Sequence, residues 1–460
     1  MSKKKQATNN TEATKVGVSR RDLFKGAGIL GAGALLTTTT AKTVSAATPN
    51  KSLDVSDRWY IKKVSKATTE YDLSKTQRFN EREGSVRGPG YQNYVGEEKE
   101  KERAEAAREI RERGLKENIP GWSLLDQALA HAAGYSSRFN NVMLQSSPIS
   151  ARTPEEIGAP PYNETPEVAA KHLKRAAIAL GCADVGITAL RREWTYSVGG
   201  DGRKIEFADV DQVIEEDDRR IIPNKMNNII VVLIPQPLDA IHCGQTLLGG
   251  GYTGNLAYRL GAWTEGAIAE FIRSLGYNAM PEQNNTFITV PHAIEAGLGE
   301  LGRHNRLIHP DYSMNNRLFP ILTDMPLAHD QPIDFGVQEF CKTCMKCAEE
   351  CPAGCISFDR DPTWEIKGPW NNPGHKAWFE DAVKCRWNMS IENCANCQSA
   401  CPYTKKNHTK IHAAVKATIA KTSAFNGMIA SMDDMFAYGI GKDPKNWWDL
   451  DLPRFGHYEL

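Results

Sequence analysis

Cys341-Lys342-Thr343-Cys344-Met345-Lys346-Cys347-Ala348-Glu349-Glu350-Cys351-Pro352 reads C-x2-C-x2-C-x3-C-P. In bacterial ferredoxin runs of this form, three closely spaced thiolates wrap one iron–sulfur cubane, and the cysteine before proline turns to a second. One run therefore demands a partner. Cys394-Ala395-Asn396-Cys397-Gln398-Ser399-Ala400-Cys401-Pro402 repeats its second half, with Ile391 standing where a first cysteine would be. The missing ligand is expected from upstream, and Cys385, the nearest unassigned thiol, is taken on proximity. Exchanging the fourth ligands gives one set of Cys341, Cys344, Cys347 and Cys401, and another of Cys351, Cys385, Cys394 and Cys397. Paired C-x2-C units also build zinc ribbons. Two C-x3-C-P endings and a full ligand set for two sites favour two [4Fe–4S] clusters. Of 11 cysteines in 460 residues, 9 crowd between Cys341 and Cys401, which points to metal and not to a disulfide scaffold. Cys355, Cys182 and Cys243 are left over and read as buried structural thiols.

Working outward, residues 331–410 form the expected two-cluster unit and 411–460 a C-terminal extension containing Trp447-Trp448. Residues 161–330 alternate helix and strand. Pro166 to Leu180 repeats apolar residues at helical spacing before Gly181, and Ile229 to Ile234 is a β-branched run closed by Pro235. Leu260, Trp263, Ala267, Ile268, Phe271, Ile272 and Leu275 make one helical stripe closed by Gly276. The fold class expected is α+β or α/β. Residues 47–160 are polar and turn-rich, and Glu97 to Arg113 reads as a solvated helix laced by ion pairs and ended at Gly114.

Residues 1–46 read as an address. Ser19-Arg20-Arg21-Asp22-Leu23-Phe24-Lys25 precedes an apolar run from Gly26 to Leu36 and a small-x-small triplet, Val44-Ser45-Ala46. At about 1.5 Å per residue this run is too short to span about 30 Å of hydrocarbon, so a cleaved signal is expected, and the twin arginine marks its route. That route carries folded proteins, so a cofactor inserted before export is expected. Without these residues the chain holds 48 basic and 54 acidic side chains, a net of −6, and has no polybasic patch for anionic lipid or bulk field for nucleic acid. No later stretch reaches about 18 apolar residues, so membrane attachment is expected to need a partner.

Two motifs are weak. Gly297-Leu298-Gly299-Glu300-Leu301-Gly302 matches G-x-G-x-x-G, but Asn305, His309 and Pro310 follow where a helix should open, so these glycines are read as backbone beside something bulky. Gly249-Gly250-Gly251 lacks the Lys-Ser/Thr of a phosphate loop.

Taken in order, the twin-arginine segment, an α/β region ending in G-L-G-E-x-x-R, the full cysteine run and the truncated one resemble the corrinoid-dependent reductive dehalogenases of organohalide-respiring bacteria. Phe271-Ile272-Arg273-Ser274-Leu275-Gly276-Tyr277 and Phe335-Gly336-Val337-Gln338-Glu339-Phe340-Cys341 look like segments of that family. The resemblance implies a nitroreductase-like domain holding a base-off, cobalamin-type corrinoid, one cluster near cobalt and one near the surface, and the reaction R–X + 2e⁻ + H⁺ → R–H + X⁻. It implies a small integral-membrane anchor, a quinol- or hydrogenase-linked electron donor and a place on the outer face of the cytoplasmic membrane; a homodimer is among the states expected. By family pattern the proton donor lands on Tyr258, its neighbouring cation on Arg317 and an asparagine on Asn284. Gly297, Gly299, Gly302 and Arg303 are the candidate cofactor-binding positions. Tyr252 is the alternative donor and Arg303 the alternative cation. Asp239-Ala240-Ile241-His242-Cys243-Gly244 fails the D-x-H-x-x-G spacing that supplies a lower ligand in some corrinoid proteins.

Residue chemistry agrees with the pair. Tyr258 falls off the Leu260–Leu275 stripe, and a phenol of pKa about 10 gives its proton more readily beside a guanidinium. Two competing readings are an epoxyqueuosine-reductase-like corrinoid enzyme and an exported iron–sulfur electron-transfer protein without corrinoid.

Overall fold

The computed structural model describes residues 57–452 apart from 87–88, 136–142, 284, 406–409, 436–438 and 440. The expected leader and Asn284 thus lie outside the described residues. Helix α1, Glu97–Glu117, buries only Ala107 and Gly114. Pairs one turn apart, Lys101–Glu97 at 2.8 Å and Arg103–Glu100 at 2.6 Å, lace its exposed side. The helix continues past Gly114, which packs beneath Trp122, and ends at Asn118 in the left-handed region (φ 49°).

Helix α2, Pro166–Ala179, starts where the Thr165 hydroxyl accepts from the Val168 N–H, with Pro166 in its first turn. Strand β1, Asp184–Ala189, follows, then β2, Asn228–Pro235, which is buried at every position. A distorted turn of π-helix, Leu247–Tyr252, leads directly into α3, Thr253–Ser274, and β3, Ala279–Pro281, and β4, Asn316–Thr323, complete the sheet. Its order is β1-β2-β4-β3 and every pairing is antiparallel. The alternating helix and strand pattern therefore folds as an α+β layer.

Side chains alternate across β2, so its unbroken apolar run serves two cores. Ile230 and Val232 meet Leu173 of α2 and Ala257, Ile268 and Ile272 of α3. Val231 and Leu233 meet Ala293, Ile294, Leu298 and Phe379 on the other face. The stripe read from sequence places Trp263 inward, but it is 61% exposed. Smaller residues face the sheet, because a Cβ on Gly261 would lie 2.1 Å from Phe319 Cζ. The glycine lets α3 settle onto β4.

The outlying segments join this layer through shared packing. Trp122, Ala130, Leu248, Tyr252, Leu256 and Trp447 form one apolar cluster. Lys62–Lys63 pairs with Ile333–Asp334 at the entrance to the cysteine-rich segment. That segment opens on helix α4, Val337–Thr343, and continues with α5, Ala382–Glu392, and α6, Asn396–Ala400. Among the described residues no helix is long and apolar enough to cross a membrane.

Candidate active site and cluster-binding thiols

Helix α4 presents Cys341 near its end and Cys344 at its C-cap, the turn Lys346–Glu349 presents Cys347, and Cys401 caps α6. All four are buried. Cys341, Cys344 and Cys401 share an apolar pocket with Phe335, Phe340 and Tyr403, and the Cys347 thiol feels all three of the others. Burial pushes Cys344 up to about 12 and raises Cys341, Cys347 and Cys401 as well. Thiols crowded in this way keep their protons unless a cation replaces them, which is the chemistry of metal-bound thiolate.

The second group gathers Cys351, Cys385, Cys394 and Cys397. Cys394 feels Cys385 and Cys351, and Cys397 feels Cys385 and Cys394. Burial lifts Cys394 to about 11 and Cys397 to about 12. Cys351 of the first run thus stands with the second group, and Cys401 of the second run with the first. Donors lacking partners stand at both groups: the buried Tyr403 Oη by the first, and Asn393 Nδ2, next to Cys394 in the chain, by the second. Cluster sulfides would satisfy such donors, so the donor sets fit cubanes.

Cys355, read as a buried structural thiol, is buried, and its Sγ lies 3.2 Å from that of Cys351. The hydrogen bond between them draws Cys351 down to about 5 and raises Cys355, and another from Cys355 lowers Cys385. Ligand atoms of Cys355, Cys385 and Glu380 all lie within 4.8 Å of one another. Arg306 holds both Glu380 oxygens, at 2.9 and 3.2 Å, leaving the thiols to the metal.

Arg303, a candidate cofactor-binding position, is turned to the chain itself. It is fully buried, and its guanidinium donates to Cys341 O (2.6 and 3.1 Å), Cys344 O (3.2 Å), Ser357 O (2.8 Å) and Asp359 O (2.6 Å) while stacking 4.8 Å from Trp378. It clamps the first cluster loop from behind, with four of its five N–H donors turned to backbone carbonyls. The glycines expected beside a bulky group are likewise met by the chain itself. A Cβ at Gly297 would lie 2.5 Å from Gln331 O, at Gly299 2.2 Å from Ile308 O, and at Gly302 2.8 Å from the His304 ring.

Tyr258 sits in the second turn of α3, which reaches back far enough to carry it. Its ring packs edge-on to Phe319 with centroids 5.7 Å apart, and the Arg317 guanidinium of β4 lies 5.9 Å from the ring centre. Arg317 Nη1 donates to Gln236 Oε1 at 2.8 Å, and Gln398 Nε2 donates to the same oxygen at 3.0 Å. Gln236 Nε2 is itself bonded to Thr253 Oγ1 at 3.2 Å. A polar chain therefore runs from Tyr258 through Arg317 and Gln236 to Gln398, which lies between Cys397 and Cys401. Sequence reading missed both glutamines, although Gln398 stands inside the C-x3-C run and Gln236 directly follows β2. Gln283 Nε2 reaches Tyr258 O at 3.5 Å. Tyr252, the alternative donor, instead packs against Trp447 at 5.7 Å, and burial raises its pKa.

A cavity of about 570 Å³ is lined among others by Gly244, Glu350, Asn396, Ser399, Gly439 and Lys442, and none of Tyr258, Arg317, Gln236 and Gln398 is in its wall. His242, next to it, engages Ser399 Oγ through Nδ1 at 3.0 Å.

Two parts of the chain match known families. Residues 56–231 match the family described as reductive dehalogenase subunit, and residues 340–404 match the 4Fe-4S double cluster binding domain. The tetrachloroethene reductive dehalogenase of Sulfurospirillum multivorans is 34% identical over 314 residues, covering 65% of this chain and 62% of its own. The trichloroethene reductive dehalogenase of Dehalococcoides mccartyi is 33% identical over 265 residues, covering 52% and 43%. A solved reductive dehalogenase described as B12-dependent superposes with a TM-score of 0.64 at 22% identity, covering 86% of this chain and 52% of its own, and shares the fold. The chain spans less than two thirds of the length of these relatives. It is similar to the reductive dehalogenases, a family of oxidoreductases, and carries a domain for two [4Fe–4S] clusters.

Proposed function

We propose that this chain reductively removes halogen from an organohalide, R–X + 2e⁻ + H⁺ → R–H + X⁻, as the terminal reductase of organohalide respiration. The observation that carries the reading is the joining of a Tyr–Arg pair to cluster-binding thiols through Gln236 and Gln398. Electrons would enter through the thiol-bound clusters, and the proton would come from Tyr258.

A base-off corrinoid, when bound, supplies the low-potential cobalt that reduces the carbon–halogen bond. The cavity beside Gly244 and Ser399 would take one edge of such a group, being smaller than a whole corrinoid. Glycines leave parts of its wall without side chains, and it borders the loop from Cys394 to Cys401. Gly244, Ser399 and Lys442 would hold the group. Arg317 beside the phenol stabilises the anion left when Tyr258 gives up its proton, and Gln236 holds Arg317 in place. Asn284 is assigned to the site by family pattern alone.

The twin-arginine segment supports export to the outer face of the cytoplasmic membrane, held there by a small integral-membrane partner and fed by a quinol- or hydrogenase-linked donor; a homodimer is part of the same proposal. Replacing Arg20 and Arg21 with lysine and fractionating cells tests the route, since the protein should then stay inside. The activity is tested by following halide release with reduced viologen and chlorinated alkenes, alkanes and phenols. Alkenes come first because the relatives are named for them. Turnover that needs both cofactors supports the proposal; cofactor-replete protein inert toward every class refutes it.

A further inference from the structure

Five thiols surround a site with four corners. Cys394 and Cys397 are fixed by their C-x2-C spacing on α6 and the turn before it, and Cys351 comes across from the first run. Cys385, in the first turn of α5, belongs to neither run, and Cys355 is its immediate neighbour. The two are tied by more than proximity. Asp381, which caps α5, donates its N–H to Cys355 O at 2.9 Å and accepts from the Cys385 N–H through its own carbonyl at 3.0 Å. Cys355 Sγ lies 3.2 Å from Cys351 Sγ and within 4.8 Å of Cys385 Sγ. It is 5% exposed, so no solvent competes for it. Glu380, the other potential ligand, is held by Arg306 through both oxygens.

We propose that Cys355 is a reserve ligand of the second cluster, able to take the iron corner assigned to Cys385. This rests on the two-cluster reading and extends it to a residue outside both motifs. Buried thiolate is a good ligand for iron, and a sulfur already in contact with two ligand sulfurs needs only a rotamer change to reach the same metal.

The test is iron content and the electron paramagnetic resonance of reduced full-length protein, matured anaerobically, in wild type, Cys385→Ala, Cys394→Ala and the double variant Cys385→Ala/Cys355→Ala. Wild type should hold about eight irons per chain. Cys385→Ala should keep about eight, with an altered signal from the second cluster, whereas the double variant and Cys394→Ala should fall to about four. Cys385→Ala falling to about four, like Cys394→Ala, would overturn the proposal, as would a double variant that keeps about eight. Should Cys385→Ala not fold, the near-isosteric Cys385→Ser, alone and with Cys355→Ala, carries the same comparison. Zinc in place of iron in the wild type would remove the two-cluster reading itself, a result distinct from failure of Cys355.

Discussion

Tyr258 is a weak acid by itself, and its surroundings decide whether it can work as one. Arg317 lies against its ring and is held by Gln236. Tyr258→Phe keeps the ring packed on Phe319 and removes only the hydroxyl. Iron and corrinoid contents should therefore stay at wild-type values while turnover falls by about 10²–10⁴-fold; equal turnover in a steady-state halide assay would contradict its role. Arg303 makes a different prediction. Its guanidinium satisfies four backbone carbonyls at once, which the single ammonium of lysine cannot do. Arg303→Lys should cost about 2–5 kcal/mol and loosen the first cluster before it touches proton delivery. Denaturant unfolding together with iron loss over time measures this, and an unchanged midpoint with stable iron would show that the clamp is dispensable.

Among the elements, α3 and the start of the cysteine-rich segment carry most of the argument. Gly261→Ala forces a methyl group onto Phe319 Cζ and lifts the helix bearing Tyr258 from β4. Overpacking of this kind costs about 1–3 kcal/mol, so both the melting temperature and turnover should fall. Glu300 accepts from the Phe335 and Val337 N–H groups at 2.7 and 3.2 Å and from Thr68 at 2.9 Å, pinning the entry to α4. Burial raises its carboxyl to about 7. A carboxyl held above its unfolded value of about 4.3 contributes stability that is complete below that value and is lost as pH rises through the folded one. The melting temperature should therefore decline from about pH 5 to about pH 8, and Glu300→Gln should flatten that decline, since its amide keeps both backbone bonds and can donate to Thr68. An identical slope in the variant would locate the pH dependence elsewhere.

The main elements were legible because their signals are local. A β-branched run closed by proline is a strand, and thiols at x2, x2 and x3 spacing are a cluster loop wherever they occur. Tyr258 and Arg317 were reached by family pattern, and the register of α3 against β4 explains why residues 59 positions apart meet. The contacts of Arg303, Gln236 and Cys355 were not legible for one reason. Their roles depend on which distant carbonyl, amide or sulfur packs beside them, and no spacing in the chain encodes that.

At the scale of the molecule, segments that read as separate units share cores. Trp447, near the end of the described chain, packs on Tyr252 at the foot of the helix carrying Tyr258, and Trp122 joins the same cluster. Loss of the extension should therefore disturb the foot of that helix and would also remove Gly439 and Lys442 from the cavity wall. The central claim is that two cubanes deliver electrons to a corrinoid in this one chain, and metal stoichiometry of correctly matured, cofactor-replete protein tests it most directly. About eight irons and about one cobalt per chain are expected. About eight irons with no cobalt, or zinc in place of iron, would contradict the account.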